Sequence, residues 1–143
     1  MEDDYDYPDW RSDFPIREEF EDFAGKRRRF VIDCHAGPLG YTVQAREEKP
    51  KDEGYQFEVY SETSPYNALG RLRAKAQKAM ATRHLSRDRD MLHDTLRGRI
   101  TTDPEIGTLL VVDGLSIDMD ELGRKLATHE GFEFELIIKD SLE

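Results

Sequence analysis

Residues 111–123, "VVDGLSIDMDELG", place three aspartates and two glycines within thirteen positions. Hard oxygen donors mixed with turn formers are the raw material of a calcium loop. Such a loop takes oxygens from its first, third, fifth and twelfth positions and needs glycine at the sixth for its sharp turn. Counted from Asp118, Asp120 stands third and Gly123 sixth, but Leu122 and His129 occupy the fifth and twelfth places. Counted from Asp113, the ligand places hold Leu115, Ile117 and Arg124. Backbone geometry explains the same residues better. Asp113-Gly114 is a strong turn pair, and Asp118 with Glu121 three residues later is an Asp-led capping box that opens a helix.

The other reactive side chains are equally sparse. His35, His84, His93 and His129 include no pair at the close spacing of a zinc site. Cys34 and His35 are adjacent in an apparent strand, so their side chains leave on opposite faces and cannot act as nucleophile and base together. Cys34 reads instead as a small apolar filler, and His129 as a cation near a helix C-terminus. No Gly-rich phosphate loop and no Gly-x-Ser-x-Gly occurs. No cofactor, metal or catalytic residue is expected; a hydrolase or metal enzyme would have to work without a recognisable motif.

Charge is the stronger signal. The chain has 143 residues and a formal net charge of −10, yet residues 1–24 alone carry ten acids against Arg11 and Arg17. That stretch also holds Tyr5, Tyr7, Trp10, Phe14, Phe20 and Phe23, and it is too charged to build a core of its own. Between residues 63 and 86 there is no acid at all, and Arg71, Lys75 and Lys78 fall on one stripe of a helix. Like charges at this spacing are mildly destabilising, which suggests an anionic counterpart. "KRRR" at residues 26–29 is a second basic cluster, of the kind that guards a strand from edge pairing.

The elements that carry these residues follow from periodicity. "RFVIDCH", "YTVQA" and "YQFEVYS" alternate with period two and read as an antiparallel meander with one buried side. Ser64-Pro65 opens a helix predicted to reach about residue 84, burying Leu69, Leu72, Ala76, Ala79 and Met80. "LRGRITTDPEIGTLLVVDG" reads as two strands round an Asp-Pro turn. A second helix over residues 119–130 is expected to bury Met119, Leu122 and Leu126, with Gly131 at its C-terminal cap and "FEFELIIKD" following as a last strand.

These patterns predict an α+β fold. Its largely antiparallel sheet of five to six strands has two helices on one face, plus an acidic N-terminal arm. Residues 1–24 are assigned to the arm, weakly ordered or docked on the basic helix, and residues 25–143 to a single α+β domain. Residues 109–140, "LLVVDGLSIDMDELGRKLATHEGFEFELIIKD", resemble the C-terminal part of an uncharacterised bacterial family of small α+β proteins. That family repeats an apolar strand, an Asp-Gly turn, an acidic-capped helix and an "EGF-F-L-I-D" pattern. The resemblance implies a bacterial cytosolic origin and nothing about activity.

A lone cysteine excludes an intramolecular disulfide and suits a reducing compartment. No signal-peptide pattern opens the sequence and no apolar run is long enough for a membrane span, so a cytoplasmic protein is expected. The function expected is a non-enzymatic interaction module for a protein partner or a second copy, with Arg71, Arg73, Lys75, Lys78, Arg83, Trp10, Phe20 and Phe23 as candidate binding residues. The alternative is nucleic-acid or other anion binding through the basic helix, regulated by the acidic arm, although a net charge of −10 repels phosphate at long range.

Overall fold

Alternating apolar residues build the first sheet. A computed structural model describes residues 10–50 and 53–142, and the chain divides into two compact units. The first comprises Met1–Glu48, Gln56–Thr82 and Asp140–Glu143; the second comprises Lys49–Tyr55 and Arg83–Lys139.

In the first unit a short helix α1 (Trp10–Asp13) leads into β1 (Ile16–Glu21), β2 (Arg27–Ala36), β3 (Tyr41–Glu47) and β4 (Gln56–Ser61). The strands form an antiparallel sheet in sequence order. Phe20, Phe30, Ile32, Val43, Ala45, Phe57 and Val59 are buried on one face. Helix α2 (Pro65–Met80) covers them with Ala68, Leu69, Leu72, Ala76 and Met80. Burying side chains of this size contributes roughly 1.5–3 kcal/mol each. Ser64 is the N-cap, its hydroxyl accepting the Asn67 N–H at 2.9 Å, and Pro65 sits where a missing N–H costs nothing. Ala79, expected in the buried stripe, is exposed, and the helix ends four residues before residue 84. The next backbone N–H groups, of His84 and Leu85, are taken by a carboxylate of the second unit instead of a helical carbonyl.

The sheet also buries charge. Arg28 points to the helix side, where its Nε donates to Asp22 at 2.9 Å and its Nη1 to both oxygens of Glu47 at 3.3 and 3.2 Å. Asp22 accepts the N–H groups of Ala24 and Lys26 with its other oxygen, closing the β1–β2 turn. Every lone pair facing the interior is thereby used, as buried ions require.

The second unit pairs β5 (Arg99–Asp103) with β6 (Gly107–Val112) and β6 with β7 (Leu115–Asp118), all antiparallel. Asp103 closes the first hairpin by accepting the N–H groups of Glu105 and Ile106. Asp113 and Gly114 form the second, both at positive φ (55° and 79°), the type I′ geometry that Asp-Gly suits. Helix α3 (Met119–Ala127) follows, with Asp118 capping the Glu121 N–H at 2.7 Å. Leu85, Val112 and Ile117 form the core, flanked by Leu96, Leu110 and Leu122. At Gly98 a Cβ would stand 2.1 Å from the Val111 carbonyl oxygen, so only glycine allows that approach.

Asp113 also organises the loop before β5. One carboxylate oxygen accepts the backbone N–H of both His84 and Leu85 at 2.8 Å, and the other lies 3.0 Å from His84 Nδ1. Arg89 and Lys125 hold the following turn to α3. Arg89 donates to Glu121 at 2.8 Å and to the Ser116 carbonyl, and the Lys125 ammonium reaches the Arg89 carbonyl and Glu121. Hydrogen bonding from Arg89 holds the Glu121 carboxyl below its ordinary range against the opposing effect of burial, and Lys125 adds to it.

The fold departs from the single sheet of five to six strands with two helices. Among the described residues there are a four-stranded and a three-stranded sheet and three helices. β7 is a four-residue strand too short for its period to stand out. The end of the expected acidic arm is part of the sheet: β1 is an edge strand because Phe20 and the register with β2 give its charged residues a buried partner face. Residues 1–9 of that arm lie outside the described residues. The last expected strand does not form either. Residues 133–139 have no backbone partner among the described residues, and alternation alone cannot supply one.

Two outcomes follow for stability. Asp113→Ala strands two backbone N–H groups and forces alanine into a left-handed conformation, so it should destabilise the second unit by roughly 3 kcal/mol in urea unfolding. Asp113→Asn, which tolerates that φ and keeps one acceptor, should cost about half as much. Burial raises the Asp22 carboxyl, but hydrogen bonds from Arg28, Ala24 and Lys26 outweigh it and hold it below 3.8. Its contribution is then complete above pH 3.8 and is lost as pH falls through the lower folded value. Asp22→Asn should flatten that acid limb in a pH series of thermal melts.

Candidate interaction surface

The basic face of α2 is largely occupied by its own unit. Arg73 makes a two-point ion pair with Glu18 of β1, at 2.9 and 2.7 Å, and those hydrogen bonds raise the guanidinium pKa further despite partial burial. Arg71 donates to the Tyr60 carbonyl at 2.9 Å, and Lys75 to the carbonyls of Glu58 and Ser141 at 2.9 and 2.6 Å. Lys78 is exposed. Arg83 lies in the second unit, its Nε donating to the Leu85 carbonyl. Four of the five predicted basic residues share α2, and three of these already have acceptors.

The "KRRR" cluster is consumed similarly. Arg27 and Arg29 stand on the solvent side of β2, each 3.8 Å from Glu19 of β1, while Arg28 turns inward to its two carboxylates. Alternation along a strand sends neighbouring cations to opposite faces, so a run of four charges is not a four-charge patch.

The predicted aromatic residues are mostly structural. Trp10 is buried against Phe14 and Tyr41 in edge-on contacts, with the Arg11 guanidinium 4.4 Å over its ring. Phe20 packs on Phe30 at 5.0 Å between centroids, and Phe23 is half-buried. Among the described residues, acids of this stretch meet α2 through Glu18 at Arg73 and Asp13 at the Tyr66 hydroxyl.

The exposed apolar surface lies in the second unit, where the sequence reading had placed core. Phe132, Phe134, Leu136, Ile137 and Ile138 are 67–88% exposed. On α3, Met119 and Leu126 are exposed, while Lys125 is the buried residue. Neither expected face is buried: Ile137 is as exposed as the even-numbered apolar residues, and on α3 Met119 and Leu126 face solvent, because a period reports only that one face is apolar. Whether anything covers that face depends on the rest of the fold, and α3 turns Lys125 inward to serve the Arg89 turn.

A shallow hollow of ≈ 480 Å³ in the same unit is lined by Pro50, Glu53, Ile106, Leu109, Ser116, Asp118 and Glu121. Two of its carboxylates are committed, Asp118 to the α3 cap and Glu121 to Arg89 and Lys125. Among the described residues no group of three His, Cys, Asp or Glu could hold a metal, and no helix is long and apolar enough to cross a membrane.

Cys34 is half-buried on the inner face of β2, and His35 is exposed on the other. Burial pushes the thiol up to about 11, against a smaller lowering by Arg11. At pH 8 only about one thiol in a thousand is then ionised, and the thiolate is the nucleophile. Iodoacetamide should label Cys34 about a hundredfold more slowly in the folded protein than in urea at that pH, with the folded rate rising tenfold per pH unit. Rapid labelling of the folded protein at neutral pH would contradict this environment.

Residues 12–81 match the family model of a domain of unknown function, DUF7686, and residues 83–143 match that of a second, DUF7713. No curated protein and no solved structure matches the chain. The boundary between the two models coincides with the passage from Thr82 to Arg83, where the first unit gives way to the second. The chain is thus covered, almost from end to end, by two domain families to which no function is attached.

Proposed function

We propose that this protein is a non-enzymatic interaction module whose second unit binds protein through exposed apolar side chains. The observation that carries the reading is the run from Phe132 to Ile138, where five apolar residues keep most of their surface in solvent. Contiguous apolar exposure of this kind is characteristic of interaction sites. Backbone groups without a main-chain partner among the described residues offer hydrogen bonds as well, so strand addition is the mode of recognition. A bacterial cytosolic setting belongs to the same reading.

Anion binding is less well supported by the geometry. Arg73 is neutralised by Glu18, and Arg71 and Lys75 are spent on carbonyls. The net charge of −10 opposes phosphate at long range.

Affinity capture with the full chain, compared with a Phe134→Ser/Leu136→Ser variant, tests the proposal. The unmodified chain should retain a protein ligand that the variant loses, while both give the same far-ultraviolet circular dichroism. Short DNA and RNA should not bind either form at low salt. Steeply salt-dependent nucleic-acid binding, or substrate turnover by the purified chain, would overturn the reading.

A further inference from the structure

We propose that Arg71 and Lys75 are edge guards: these two cations of α2 close the open edge of β4 to strand addition and so keep the first unit from pairing with its own copies. The proposal concerns a different unit from residues 132–138 and does not rest on the reading of that segment.

The backbone of β4 has an inner and an outer side. The Gly37 N–H donates to the Gly40 carbonyl at 2.7 Å and the Glu48 N–H to that of Arg29 at 2.9 Å, which fixes the phase of the β2–β3 ladder. In an antiparallel pair alternate residues direct both backbone groups to the same neighbour. The even-numbered residues of β3 therefore bond to β2, and the odd-numbered ones, Tyr41, Val43 and Ala45, to Ser61, Val59 and Phe57 of β4. Gln56, Glu58 and Tyr60 are left with their N–H and C=O groups directed away from β3. Among the described residues β3 is the one strand paired with β4, so this side is an open edge.

Such a row of backbone groups is a template for another strand. Two of its three carbonyls are already taken: Tyr60 accepts from Arg71 at 2.9 Å, and Glu58 from Lys75 at 2.9 Å. Four residues of helix rise about 6 Å and two residues of strand about 6.8 Å. Cations one turn apart therefore meet alternate carbonyls, with α2 running antiparallel to β4. The Lys75 ammonium also donates to the Ser141 carbonyl at 2.6 Å, and the Ser141 hydroxyl to the Glu58 carboxylate at 3.0 Å, so residue 141 stands at the same edge. An incoming strand would have to displace both cations from these acceptors. Guarding the edge also accounts for a stripe whose like charges disfavour the helix that carries them.

Arg71→Met/Lys75→Met removes both donors and keeps unbranched side chains of good helix propensity. Parent and variant both carry Phe134→Ser/Leu136→Ser, which keeps association through the second unit out of the comparison. In sedimentation velocity the double variant should show about twice the parent's mean mass or more, with the same far-ultraviolet circular dichroism. Lys75→Met alone, the gentler change, should show the same rise at higher protein concentration, and Arg71→Lys/Lys75→Arg, which retains both donors, should sediment as the parent. Adding Glu58→Pro to the double variant should return it to the parent's mass, because proline there removes an outward N–H and costs no ladder bond. Met variants that sediment as the parent would overturn the proposal, and so would association that Glu58→Pro leaves intact.

Discussion

The carboxylate of Asp113 is the contact on which the second unit depends. It sits in a two-residue turn that demands positive φ, so its backbone is fixed by the hairpin while its side chain turns back to hold His84 and Leu85. Leu85 thereby comes to rest beside Val112 and Ile117, and these three side chains form the core. A core this small stabilises little by area alone. Polar clamps supply the remainder: Asp113 at one end, and the Arg89, Glu121 and Lys125 group at the other.

The first unit solves the same problem with more apolar material and one buried ionic group. Arg28 sits between Asp22 and Glu47, and Asp22 also closes a turn through two backbone N–H groups. Removing Arg28 would leave two carboxylates buried without their cation, a larger loss than the net worth of the pairs, whereas removing either carboxylate leaves Arg28 paired with the other. In both units carboxylates that leave solvent, Asp22 and Glu47 in the first and Asp113 in the second, have donors. The apolar residues are treated differently, since the second unit leaves the apolar side chains of residues 132–138 uncovered.

What could be read from the sequence was what local chemistry decides. The three-strand meander, the Ser64-Pro65 helix start, the Asp113-Gly114 turn and the Asp118 cap all appear at or near the expected positions. Each is written in two to seven neighbouring residues. The errors concern partners distant in the chain. Glu18 belongs with Arg73 across 55 positions, and nothing near either residue announces it. The acid-rich composition of residues 1–24 suggested an arm, yet the register with β2 gives Glu19 two arginine neighbours and Phe20 a place beside Phe30. The basic stripe of α2 was correctly located, but its availability was not legible, because backbone carbonyls are acceptors that no sequence pattern displays.

The uncovered segment also has a consequence for the lifetime of the chain in the presence of proteases. Endoproteases bind their substrates as extended strands, and unpaired segments are where nicking concentrates. Residues 132–138 carry aromatic and leucine side chains in solvent, the residue types that a chymotrypsin-like enzyme selects. Cleavage there would leave Ser141, whose hydroxyl donates to Glu58 and whose carbonyl accepts from Lys75, on the first unit, severed from the helix that precedes it. A partner bound over the segment would hide those bonds from cleavage.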